Sequence, residues 1–167
     1  TSSFTTAGAN TDAASNVTAN TATLNGTLSA SSTGILNTDV KTVKLCYSTT
    51  NTLSASGTLS SSPVCSSNLW GSTVLTGGVS PQSQAFSANV TGLTAGTNYY
   101  EQIQVVFYDD TVLNGAALLF ATSTLQTATN GTVTGISSTA ATLTGTVDAK
   151  GSTLSSVKFC YDTTTAF

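Results

Sequence analysis

The chain contains no histidine, no arginine and no methionine, and it has one glutamate and two prolines in 167 residues. Without histidine it lacks the side chain whose ordinary pKa suits a general base or acid near neutral pH. Lysine is the only cation, present four times, and charged residues make up 7% of the chain with a net charge of −3. Nucleic acid is bound by clusters of cations that displace phosphate counterions, and none are present. An anionic membrane surface is excluded on the same ground. No apolar run reaches the roughly 18 residues that suggest a spanning helix. No signal peptide is recognisable, and a start at Thr1 reads as a mature or excised fragment. Neither a CxxC pair nor histidine accompanies the cysteines, so metal ligation has no ligand set and no cofactor is implied.

What is abundant is serine and threonine, about a third of the residues, beside an apolar fraction of 39%. That apolar share, spaced by alternation, separates the chain from disordered polar sequences. The sequence also repeats. Val43-Lys44-Leu45-Cys46-Tyr47-Ser48-Thr49-Thr50 returns as Val157-Lys158-Phe159-Cys160-Tyr161-Asp162-Thr163-Thr164, offset by 114. Ala22-Thr23-Leu24-Asn25-Gly26-Thr27-Leu28 returns as Ala141-Thr142-Leu143-Thr144-Gly145-Thr146-Val147, offset by 119. Repeated modules of this kind space, display or bind more often than they catalyse.

Strand signals run throughout and helix signals are almost absent. Val17 and its counterpart Ile136 suggest a short first strand. Leu24, Gly26 and Leu28 alternate with polar neighbours in a second. Gly26 reads as a strand glycine that leaves room for a facing aromatic ring or marks a bulge, because its counterpart Thr144-Gly145 is a poor turn. Val43, Leu45 and Tyr47 face inward and Cys46 outward, with Val157, Phe159 and Tyr161 repeating the pattern. Gln84 to Val90 forms a strand with Ala85 or Phe86 inward, and Ile103, Val105 and Phe107 alternate in another. Asp109-Asp110 makes a turn, and Val112 to Thr122 reads as one last strand. Glu101 falls at an inward position, which calls for a bulge, a partner or an exposed strand end. The expected fold is all-β: a seven-stranded Greek-key β-sandwich, one complete module plus the opening strands of a second. Residues 1–9 read as the terminal strand of a preceding module or an exchanged strand, 10–126 as the complete sandwich, and 127–167 as the first strands of a truncated one.

Cys46 and Cys65 lie within one module, and Cys160 repeats Cys46 with its mate expected beyond the chain end. The simplest reading is one Cys46–Cys65 disulfide per module in an oxidising compartment; free buried thiols are the alternative. Such a bridge would pin the long polar segment 48–70 to its strand and contribute about 3 kcal/mol through chain entropy.

Gly92-Leu93-Thr94-Ala95-Gly96-Thr97-Asn98-Tyr99 resembles the tyrosine corner of fibronectin type III domains, and the segment 22–28 resembles a strand of bacterial immunoglobulin-like repeats on secreted and surface proteins. The resemblance implies that the Tyr99 hydroxyl bonds back to the upstream backbone. It implies fold more than function, and the long cysteine-bearing loop departs from it.

No catalytic residue is assigned. Lys44 and Glu101 are the only materials for an isopeptide crosslink, and Asp109, Asp110 and Asn114 for a calcium site; a solvated lysine and a plain turn are the simpler readings. Trp70, Tyr100 and Tyr108 are candidates for stacking on a glycan; local packing that covers the sandwich edge is the simpler reading. Asn16, Asn25, Asn89 and Asn130 stand in Asn-x-Ser/Thr sequons. The expected function is a non-catalytic structural repeat of an extracellular or cell-surface protein: stalk, fibre, filament or surface-layer material. Its expected partners are neighbouring copies or modules, by strand complementation, and glycans. The alternatives are an adhesin or carbohydrate-binding module using the Ser48–Trp70 loop, and a spacer in a secreted enzyme.

Overall fold

The computed structural model describes residues 7–30, 40–71, 82–150 and 153–163. Among them there is no helix; the chain is all-β, with antiparallel sheets. It divides into two units between Ser123 and Thr124, three residues before the expected boundary.

The described residues of the first unit form eight strands: β1 (Ala7–Ser15), β2 (Thr21–Ala30), β3 (Val40–Ser48), β4 (Val64–Cys65), β5 (Gln82–Thr91), β6 (Asn98–Phe107), β7 (Val112–Asn114) and β8 (Leu118–Ala121). One sheet has the order β1-β2-β5 and the other β4-β3-β6, with β7 and β8 both on the far edge of β6. Alternation explains the layering. On β2, Ala22, Leu24 and Leu28 are buried while Thr21, Thr23, Thr27 and Ser29 are half-exposed on the other face. Val43 and Leu45 from β3, Phe86 from β5, and Tyr99, Ile103, Val105 and Phe107 from β6 complete one shared core. Tyr99 stacks on Phe120 at 5.5 Å and meets Tyr47 edge-on at 5.8 Å.

Three expectations are corrected here. The first strand is not at Val17; it spans Ala7–Ser15, and Asn16, with a φ of 49°, turns the chain before a half-buried Val17. β1 begins inside the stretch 1–9 read as the terminal strand of a preceding module or an exchanged strand, and Ala7 pairs with Ala30 of β2; residues 1–6 lie outside the described residues. Gly26 adjoins the β1–β2 bulge but faces no aromatic ring, since a Cβ there would lie 2.9 Å from the Ile103 side chain; at its counterpart Gly145 a Cβ would lie 3.2 Å from the Phe159 ring. Lastly, 112–122 is not one strand. Gly115 is pressed against Thr11, its N–H donates to Ile103 O at 3.1 Å, and its carbonyl accepts from Gln102 Nε2 at 2.9 Å, so the ladder breaks into β7 and β8.

The second unit contains β9 (Thr127–Asn130) and β10 (Gly145–Asp148), paired antiparallel. Its register duplicates that of β1 and β2. Gly145↔Asn130, Thr146↔Thr129, Val147↔Ala128 and Asp148↔Thr127 map, by subtracting 119, onto Gly26↔Thr11, Thr27↔Asn10, Leu28↔Ala9 and Ser29↔Gly8. The bridge Thr134↔Thr142 maps onto Ser15↔Thr23. Even the turn agrees: Thr18 N bonds Thr21 O at 2.9 Å and Ser137 N bonds Ala140 O at 2.8 Å, each with its hydroxyl accepting from the N–H groups two and three residues on. Val157, Phe159 and Tyr161, expected on an inward strand, are in no strand and are exposed at 59%, 52% and 84%. No second sheet covers them among the described residues of this unit, so alternation alone cannot bury them.

Candidate functional site

The two faces of β6 carry the polar groups that most need explaining. Glu101 lies on the inner face with no exposed surface. It is the kind of residue that is buried only with compensation. The compensation comes from β1. The β1–β2 register shifts between Asp12 and Ser15, and this bulge turns backbone N–H groups toward the core. Glu101 Oε2 accepts the Asn25 N–H at 3.4 Å, and the carboxylate accepts a bond from the Ala14 backbone. Of the three alternatives, a bulge, a partner or an exposed strand end, the structure supplies backbone partners, beside a bulge in the β1–β2 pair of the other sheet. Burial pushes the carboxyl up to about 7, against those two bonds, and nearby Asp12 adds to the rise. Oε1 has no partner among the described residues.

On the outer face, Cys46 and Cys65 stand opposite each other in the β3–β4 register and are joined by a disulfide. Cys46 pairs across β6 with Gln102, a residue to which the sequence drew no attention. Gln102 is buried and satisfied: Nε2 donates to Gly57 O at 2.7 Å and to Gly115 O at 2.9 Å, and Oε1 accepts the Leu59 N–H at 2.8 Å. Leu59 is buried with it, and Leu53 bridges Leu59 within the segment. The long segment after β3 is therefore a folded layer held by a disulfide and an amide. A polar residue opposite the pinned cysteine was the available signal.

The remaining stretch of that segment runs along β3. Leu69 N bonds Val43 O at 2.8 Å, and Asn68 Oδ1 accepts the N–H groups of Val43 and Trp70, each at 3.0 Å. This places Trp70 across the side of the core, 6.1 Å from Phe86. Its ring is half-buried and its Nε1 is enclosed without a partner, so it is no open platform. Tyr100 is half-buried near the start of β6, and Tyr108, 65% exposed, follows its end. About 26 Å of strand separates the two tyrosines, so the three candidate aromatics are not gathered into one site. A cleft of about 220 Å³ borders Trp70, Gly71, Gln84 and Phe86, and another of about 330 Å³ borders Ala7, Phe107, Asp109 and Leu113.

Lys44 pairs with Gln104 on the outer face while Glu101 points inward, so the isopeptide pair is separated by the sheet. Asp109 Oδ1 caps the Thr111 N–H, which holds its carboxyl below the ordinary range, and Asp110 pairs with Lys41 at 2.9 Å. Asn114 Nδ2 is committed to Ser56 O and Thr58 Oγ1, away from the two acids. Among the described residues no cluster of three metal-ligating side chains occurs. Of the sequon asparagines, Asn16, Asn89 and Asn130 are exposed; Asn25 Nδ2 is engaged by Ala13 O, Ser15 Oγ and Thr23 O. Cys160 is an exposed free thiol. Tyr99 Oη accepts the Thr94 N–H at 3.0 Å.

No family model matches the chain, and no curated protein matches it. Among solved structures, the chain is similar to the sensor domain, in its longer form, of the anti-sigma factor RsgI4 in Pseudobacteroides cellulosolvens, at 20% identity and a TM-score of 0.47, over 72% of this chain and 92% of that one. A shorter form of the same sensor domain gives 18% identity and a TM-score of 0.42, over 74% and 100%. Likenesses of this size carry no inference about function.

Proposed function

We propose that the chain is a non-catalytic structural repeat of a secreted or cell-surface protein, built from a fibronectin type III-like β-sandwich and the opening hairpin of a second one. The observation that carries this reading is the shared register of the two hairpins, bridge by bridge and turn by turn at an offset of 119. Independent folds would not reproduce a bulge, a turn and a strand glycine together. The sheet orders, and the Tyr99 hydroxyl fastening the turn before β6, support the sandwich family. The Cys46–Cys65 bridge supports an oxidising compartment. A weakly charged, hydroxyl-rich skin suits spacing or display, with neighbouring modules as partners.

Two measurements on the protein in its native source test this. Alkylation under non-reducing conditions should leave Cys46 and Cys65 unmodified, and impermeant labels should reach the chain on intact cells or in the medium. Recovery inside the cell with both thiols alkylated would sink the proposal.

A further inference from the structure

The two hairpins agree in more than register. At the core-facing positions of the first, Ala22, Leu24, Gly26 and Leu28, the second has Ala141, Leu143, Gly145 and Val147. The only change is one methylene fewer. Gly145 preserves the glycine where any Cβ would strike Ile103. Asn130 stands at the position of Thr11, whose Oγ1 accepts the Ile103 N–H, and keeps an oxygen acceptor there. The bulge recurs between the bridges Gly145↔Asn130 and Thr134↔Thr142, so Thr144 and Val133 occupy the places of Asn25 and Ala14, whose N–H groups Glu101 accepts. Yet the second hairpin's apolar side chains are only partly covered: Ile136 is 75% exposed and Val147 40%, while Leu143 is half-buried and a Cβ at Gly145 would lie 3.2 Å from the Phe159 ring.

We propose that residues 127–148 are an exchange partner for residues 7–30 of a second copy of this chain, taking the place of β1 and β2 against that copy's β5 and β6. This deepens the repeat reading and rests on it. Each chain would offer one hairpin and accept another at a different place, so the contact is heterologous and extends head to tail rather than closing on a two-fold axis. Nearly equal packing makes the exchange dependent on concentration and on the relative strength of the two hairpins.

The test uses the full chain, refolded at high and low concentration and sized by light scattering. Leu24→Ala weakens the resident hairpin alone, and the oligomeric fraction should rise about tenfold over the unmodified chain. Leu143→Asp disables the incoming hairpin and leaves the first unit's residues unaltered, so the combined variant should lose those oligomers. Oligomers that persist in the combined variant are non-specific aggregates and overturn the proposal. A Leu24→Ala chain that stays monomeric at high concentration also overturns it. Either result would leave the repeat reading to its own test by labelling and alkylation.

Discussion

Glu101 Oε2 reaches across the core to the backbone N–H of Asn25 at 3.4 Å, joining the middle of β6 to the bulged region of the β1–β2 pair. A carboxyl in this position is held by two weak backbone bonds and opposed by complete burial. Burial wins, and its pKa rises to about 7 from an ordinary 4.5.

The sign of the pH effect follows. The folded protein holds this proton more tightly than the unfolded chain, so its contribution is complete below about 4.5, declines as pH rises, and is lost above about 7. We expect stability to fall by on the order of 1–3 kcal/mol between about pH 4.5 and 8, after allowance for solvent screening. Glu101→Gln should flatten that profile. Urea unfolding at several pH values checks it; an unchanged slope in the variant would remove Glu101 as the cause.

The disulfide and Gln102 hold the same layer. Replacing Cys46 and Cys65 together by alanine should cost about 2–4 kcal/mol. Hydrogen exchange at the Leu59 amide should accelerate well before that of β6, because that amide bonds Gln102 above the sheet. Uniform loss of protection across the unit would contradict a separately anchored layer.

Gly26→Ala should destabilise the first unit by about 1–3 kcal/mol through overpacking against Ile103. Ile103→Val alone should cost about 1 kcal/mol, yet in the Gly26→Ala background it should recover part of the loss. Additive costs in a double-mutant cycle, read by thermal unfolding, would show that the two do not meet.

Tyr99→Phe keeps the stack on Phe120 and removes only the oxygen that accepts the Thr94 N–H. A loss of about 1–2 kcal/mol is expected, with faster exchange confined to the turn at residues 92–97. A stability change within experimental error would mean that water replaces the hydroxyl without cost.

Much of the fold was legible because it depends on short-range periodicity. Alternation at Val43, Leu45, Ile103, Val105 and Phe107 assigned the faces of β3 and β6, and all five are buried. The turn at Asp109 needed only local residue chemistry, while the bond of the Tyr99 hydroxyl was implied by the resemblance of segment 92–99 to a tyrosine corner. Where the reading failed, distant chain had intervened. The break at Gly115 comes from Thr11, about a hundred residues away, which no window over 112–122 contains. The inward position of Glu101 was legible, but its partners, the Asn25 and Ala14 backbone beside a bulge in the β1–β2 pair, were not. Trp70 packs locally against Phe86, as its simpler reading has it, but the partner ring and the Asn68 bond that sets its backbone come only from the fold.

The amino-acid order alone determined that the chain is all-β, that segments 22–28 and 43–50 recur at 141–147 and 157–164, and which residues of each strand are apolar. Those properties are periodic and local, so they survive without knowledge of neighbours. Only the tertiary structure decided which apolar faces are covered. Leu24 is fully buried and Phe159 half-exposed although both sit in repeated motifs, because burial depends on a facing sheet, and the described residues of the second unit contain none.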